Sequence, residues 1–219
     1  HLYAQQNPEA RGMGATLVAP VLFGNRLYWI SVGDSPFYLF RGGRLLQLNE
    51  DHSFAAQIDE MRAQGVVEHD AAQTHPDRNC LVSVLAGGEI AQVDCRTDPL
   101  TLFEGDILIA ASDGVQSLAE DEIADLLRQH QDQTSNGIGL ALLDAVQDTG
   151  CPDQDNLSFC VIKVMKRAKL ATENPAQRAS DEVQPAAQEA ASGDVVRIDR
   201  HAQDGSVRTV FCLSRKVSR

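Results

Sequence analysis

Basic side chains, paired cysteines and long apolar runs are what this sequence is short of. Against 31 aspartates and glutamates stand 19 lysines and arginines, a net charge of -12 over 219 residues. Such a surface repels nucleic-acid phosphate and anionic membranes, and bound cations would offset part of it. Neither nucleic acid nor membrane is therefore expected as a partner. The five cysteines (Cys80, Cys95, Cys151, Cys160 and Cys212) are scattered and odd in number, without a C-x-x-C pair. That argues against a disulfide framework and a zinc site alike, and suits a reducing cytoplasm. No apolar run approaches the ~20 residues of a membrane span, and no signal-peptide pattern opens the chain. The first residue is His1 rather than Met, so the chain is expected to begin inside a longer one.

With 43% hydrophobic and 23% charged residues, what remains has the composition of an ordinary globular protein, long enough for one domain plus a tail. The stretch "GATLVAPVLFGNRLYWISVGDSPFYLFRGGRLLQL" holds four strand-like runs separated by Gly-Asn, Gly-Asp-Ser and Gly-Gly, a meander of antiparallel strands. Ser53 can then cap a helix with Ala56, Ile58 and Met61 on its apolar positions and a stop at Gly65. A polar segment, Val66 to Asn79, leads to the apolar "CLVSVLAG". After a turn at Glu104-Gly105-Asp106, Ile107 to Ala111 is continuously apolar and fits a strand buried on both faces. It ends at Ser112-Asp113-Gly114. Ser117 and Glu120 read as an S-x-x-E capping box opening a helix, and Asn136 begins a second helix closed by Gly150. Asp155-Asn156 enters one more strand, "LSFCVIKV".

Past that strand the composition changes. Residues 166–193 are rich in Ala, Gln, Glu and Pro without apolar periodicity, as in a linker. Residues 194–219 offer two short strand-like runs around Asp204-Gly205, a hairpin of basic character that docks on the domain or on a partner. The expected division is a domain over 1–165, a linker over 166–193 and a hairpin tail over 194–219.

Three acids share one setting: Asp34 ends a strand, Asp113 ends a buried strand, and Asp155 precedes one. Each taken alone also suits a turn that hydrogen-bonds its own backbone, and spacing alone does not prove that they meet. Rims of packed sheets let carboxylates converge outside the core, where they repel one another and need a counter-cation. Mg²⁺ or Mn²⁺ takes such oxygen ligands and keeps waters for chemistry. Two such ions can bridge a water, acidify it and aim it at phosphorus.

"GMGATLV", "SVGDSPFYLFRGGRLLQLNEDHS", "LIAASDGVQSLAEDEI" and "DNLSFCVIKV", in that order, resemble the metal-dependent serine/threonine protein phosphatases of type 2C, the PPM family, from about Gly12 to Val164. The resemblance implies an α+β fold, a β-sandwich of two antiparallel sheets flanked by helices (α-β-β-α), here lacking its N-terminal portion. It implies that Asp113 and Asp155 are ligands of a two-metal centre of Mn²⁺ or Mg²⁺, with Asp34 a ligand of a third, weaker ion alongside Asp113. The implied reaction is hydrolysis of phosphoserine or phosphothreonine in proteins by a metal-bridged water, in bacterial cytoplasmic signalling, with a phosphoprotein as substrate and a kinase or its target as partner. "GMGAT" matches a structural turn of that family and not a phosphate-cradling loop, since no G-K-[ST] follows.

The family's Asp-Gly-Met-Gly-Gly-His type motif, with its bridging aspartate and histidine, and an earlier phosphate-binding arginine are absent from these residues, so the catalytic residues are expected upstream of His1. Pro36 stands where an arginine commonly follows GDS, and "LVSVLAGG" where the family often reads "LTRALGG", which points to a divergent branch. His52 reads as a capping or packing residue at a helix start. His69 and His75 lie where the family has a variable flap, and read as surface loop. No cysteine has a basic neighbourhood, which sets aside a cysteine-based phosphatase. Two rivals share the fold: a non-catalytic regulatory or phosphoprotein-binding module, and a phosphatase of an anti-sigma-factor antagonist.

Overall fold

The computed structural model describes residues 2–10, 12–65, 80–151, 154–165, 194–201 and 207–215, the last two stretches as backbone. His69, His75 and the linker at 166–193 lie outside the described residues. A short helix α1 (Leu2–Gln6) precedes the meander β1 (Leu17–Phe23), β2 (Arg26–Val32), β3 (Phe37–Arg41) and β4 (Arg44–Gln47). Helix α2 (Phe54–Ala63) follows, with Ser53 as its N-cap: the hydroxyl accepts from Ala56 N–H at 3.2 Å. Short strands β5 (Asp94–Cys95) and β6 (Leu100–Thr101) lead to β7 (Ile107–Ala111), then helices α3 (Glu120–His130) and α4 (Ser135–Asp148), β8 (Leu157–Val164), β9 (Asp194–His201) and β10 (Val207–Arg215).

These strands form two antiparallel sheets. In the smaller, β1 pairs with β2, which also pairs with β5 and β6; the larger runs β4-β3-β7-β8-β10-β9. Side-chain alternation along the larger sheet explains how both its faces are buried. Phe37, Leu39, Leu108 and Ile162 turn towards Leu27 and Trp29 of the smaller sheet. Tyr38, Phe40, Ile107, Ile109, Phe159 and Val161 turn the other way, into a second core with Ile123, Leu127, Ile138 and Leu142 of α3 and α4. Each such side chain contributes roughly 1.5–3 kcal/mol by leaving water. The continuous apolar run at 107–111 is thus a strand between two cores, whereas β1 shows Val21 and Phe23 to solvent.

One expected helix start is corrected. Ser117 and Glu120 form no capping box: Ser117 ends a 3-10 turn, Asp113–Ser117, and its hydroxyl donates to Gly114 O at 3.1 Å. The helix starts at Glu120 behind Ala119, whose N–H donates to the Glu122 carboxylate at 2.8 Å. The tight turn consumes the serine before it can cap. The next helix begins one residue earlier than Asn136, at Ser135, with Thr134 as its cap.

Candidate active site

Strand pairing decides which rim the three aspartates share. Phe37 pairs with Ala110 across β3 and β7, and Ala111 with Phe159 across β7 and β8. Ala111 N–H also donates to Pro36 O at 3.0 Å, beyond the last ladder pair. The turn after β2, the turn after β7 and the entry to β8 therefore lie side by side.

Asp113 and Asp155 are brought together through backbone. Ser112 N–H donates to Ser158 O at 2.7 Å, while its hydroxyl donates to Asn156 O at 3.1 Å and accepts from Ser158 N–H at 3.0 Å. Gly114 then lies so close that a Cβ there would stand 2.6 Å from Asn156 O and 3.2 Å from Asp155 O. A side chain at this position would push the two acidic turns apart. The Gln154 amide seals the junction, donating to Gly114 O at 2.9 Å and to Asp155 O at 3.1 Å.

Asp34 sits in a turn held from several sides. Gly33 has φ +100°, and a Cβ on it would meet Thr16 Cγ2 at 2.4 Å, so only glycine fits. The Thr16 and Ser35 hydroxyls are bonded at 2.7 Å, which ties the "GMGAT" segment to this turn. Two further residues, passed over or read as packing in the sequence, complete it. Asn49, 6% exposed, accepts from Phe37 N–H at 2.7 Å and donates to Ser35 O at 3.0 Å. His52, 2% exposed, accepts from Gly33 N–H at Nδ1 (3.2 Å), and its own N–H donates to Gly33 O at 3.2 Å. A bond accepted at Nδ1 puts the ring proton on Nε2, which is buried without a hydrogen-bond partner. In the "NEDHS" run Asn49 and His52 bind backbone of another turn, while Asp51 binds its own.

Electrostatics link the acids. Burial is the main cause that pushes the Asp34 carboxyl above its usual range, and Asp113 and Asp51 add to it against a hydrogen bond from its own amide. Asp113, although open to solvent at the rim, is pushed up by the protein around it and then by Asp155, against the amides of Gly114 and its own. Carboxylates that raise one another's proton affinity are suited to share a cation, and no ion pair among the described residues involves these three. Their placement is pairwise: among the described residues, no three His, Cys, Asp or Glu side chains lie close enough to hold one ion together. The donor set, all carboxylate, is of the kind that hard divalent cations take. Asp51 is a fourth acid at this rim; its Oδ1 accepts from Ser53 N–H at 2.8 Å.

No family model matches the chain. Among curated proteins, the serine/threonine phosphatase stp of Listeria welshimeri is 34% identical over 128 residues, 58% of this chain and 49% of that protein. The serine/threonine protein phosphatase PstP of Mycobacterium tuberculosis is 33% identical over 121 residues, 54% of this chain and 22% of that protein. The chain thus spans about half the length of the first of these relatives, and less of the second. Among solved structures, the S. agalactiae serine/threonine phosphatase superposes with a TM-score of 0.61 at 26% identity, covering 73% of this chain and 62% of that one. Stp1 from Staphylococcus aureus follows at 0.59 and 28%, covering 73% and 59%. The catalytic domain of PstP in complex with two manganese ions gives 0.55 and 25%, covering 73% and 62%. In sequence and in fold alike, this chain's neighbours are serine/threonine phosphatases of the PPM type.

Proposed function

We propose that this chain is part of a metal-dependent protein phosphatase that hydrolyses phosphoserine or phosphothreonine in a bacterial phosphoprotein. The observation that carries the reading is the junction at Gly114, where two acidic turns are packed backbone to backbone in a fold whose neighbours are phosphatases. Asp113 and Asp155 would hold the core Mn²⁺ or Mg²⁺, and Asp34 with Asp113 a third, weaker ion; the manganese in the PstP structure supports this. The cations would neutralise the phosphoryl oxygens and activate water for in-line attack. The chain's own residues would orient the ligands: Ser112 and Gln154 fix the two core aspartates, and the Gly33–Ser35 turn aims the third. The catalytic acid and the bridging carboxylate would come from the D-G-x-G-G-H type segment that these residues do not contain. A protein kinase acting on the same target is the natural counterpart.

The merely pairwise placement of the carboxylates favours a second reading, a phosphatase-like module that binds or regulates without turnover. Calorimetric titration of Mn²⁺ into the chain and into Asp113→Asn, beside phosphate release from a phosphothreonine peptide, separates the two. The enzyme reading expects uptake weakened at least about tenfold in Asp113→Asn, with any phosphate release dependent on Mn²⁺ and lost in the variant. Absence of both uptake and release from the wild type favours the module.

A further inference from the structure

We propose that Asn49 and His52 are positioning residues for Asp34, a buried pair from one segment that grips the acidic turn on both sides and sets the direction of its carboxylate. The proposal rests on the metal reading above. Asp34 itself is held only by its neighbours: Gly33 before it is bonded to His52 through both its N–H and its carbonyl, and Ser35 and Phe37 after it are bonded to Asn49. The gripping segment is anchored in turn. Val82 N–H donates to His52 O at 2.8 Å, Phe54 N–H donates to Cys80 O at 2.9 Å, and Ser53 bridges to Leu81.

Two features set this apart from ordinary packing. The buried His52 ring accepts from the Gly33 amide at Nδ1 while its Nε2 makes no hydrogen bond, the Glu50 carboxylate standing 3.9 Å away. An orphaned buried donor is costly. That cost persists at the ring that accepts from the amide just before a candidate ligand. The segment also carries Asp51, whose charge bears on Asp34, so the grip sets the spacing of two acids as well as the turn. Misplacing such a group by ~1 Å is enough to weaken a metal or catalytic site strongly.

The test titrates Mn²⁺ calorimetrically into the 219-residue chain, Asp34→Asn, His52→Leu, His52→Asn and Asn49→Asp, with hydrogen exchange at the Gly33 amide and urea unfolding measured alongside. Asp34→Asn is expected to remove one component of Mn²⁺ uptake. His52→Leu should weaken that same component at least about tenfold, the usual effect of a lost supporting partner, and should free the Gly33 amide to exchange. His52→Asn places an acceptor oxygen near the position of Nδ1 and should restore both. A role in packing alone would lower the unfolding midpoint in both His52 variants without separating the Asp34-dependent component. If His52→Leu does not fold, Asn49→Asp carries the test: it keeps the acceptor for Phe37 N–H, loses the donor to Ser35 O, and should weaken the same component. Uptake by the wild type that Asp34→Asn abolishes in part, but that the His52 and Asn49 variants leave unchanged, overturns the positioning role alone. No uptake by the wild type, or uptake indifferent to Asp34→Asn, overturns the metal reading at this turn and the positioning role with it.

Discussion

Tyr38 shows how far a single side chain reports its surroundings. It lies in the core between the larger sheet and the helices, where burial, reinforced by the charge of Glu120 and opposed by a hydrogen bond with Gln116, pushes its phenol from 10.0 up to about 12. The unfolded chain ionises this group first, so the neutral phenol favours the fold below pH ~10, and that contribution is lost as pH rises from ~10 through ~12. Ultraviolet titration should show one phenolate that appears only as the pH approaches about 12. Tyr38→Phe should remove it and flatten the alkaline loss of stability over the same interval. At this scale the sequence was legible only where chemistry and position agreed. Asp34, Asp113 and Asp155 stood out because each ends or opens a strand. Asn49 and His52 did not, because a polar residue that binds its own turn and one that binds a distant turn look alike until the strands are paired. Gly114 had a visible signal, glycine after the acid, but the carbonyls that exclude a side chain there come from the entry to β8.

Among the elements, β3 and β7 are joined by more than their ladder. Asp106, 2% exposed just before β7, accepts from Arg41 Nε at 2.8 Å and from its NH2 group at 2.6 Å, and also from Phe103 N–H at 2.7 Å. Arg41 lies over the Phe103 ring with its guanidinium carbon 4.7 Å from the centroid. Removing the acid takes the Phe103 amide's acceptor and leaves the partly exposed Arg41 with Thr101 O at 2.8 Å, so Asp106→Ala should cost about 2 kcal/mol in urea unfolding. The turn at Glu104-Gly105-Asp106 was readable from its glycine, which has φ +88°. Its partner at the far end of β3 was not, since nothing local in "FYLFRGG" says which acid the arginine meets. For the same reason the strand at 107–111 was legible while the start of α3 was missed: a buried strand is written in consecutive residues, but the 3-10 turn that displaced the cap depends on how Gly114 packs.

For the whole molecule, the antiparallel meander was legible from turn chemistry and the two-sheet arrangement only through the family resemblance, whereas the order of strands was not, since β8 finds β7 on one side and β10 on the other. The smaller sheet leaves Phe23 75% exposed and Val21 56% exposed on one strand. These side chains add little to stability where they stand, so Phe23→Lys should change it by less than about 0.5 kcal/mol. It should also reduce concentration-dependent association in sedimentation velocity, because an exposed apolar strand face invites self-contact. Among the described residues no helix is long and apolar enough to cross a membrane.

The backbone junction between the turn after β7 and the entry to β8 also has a consequence in time. A ribosome finishes the Ser-Asp-Gly turn long before it reaches Asp155, and the contact that sets the acids beside one another joins segments far apart in the chain, with both helices between them. Contacts of that range form late in folding. During synthesis each acid is therefore still alone in water, and the mutual repulsion of the finished rim is met only when β8 closes onto a sheet already able to hold it.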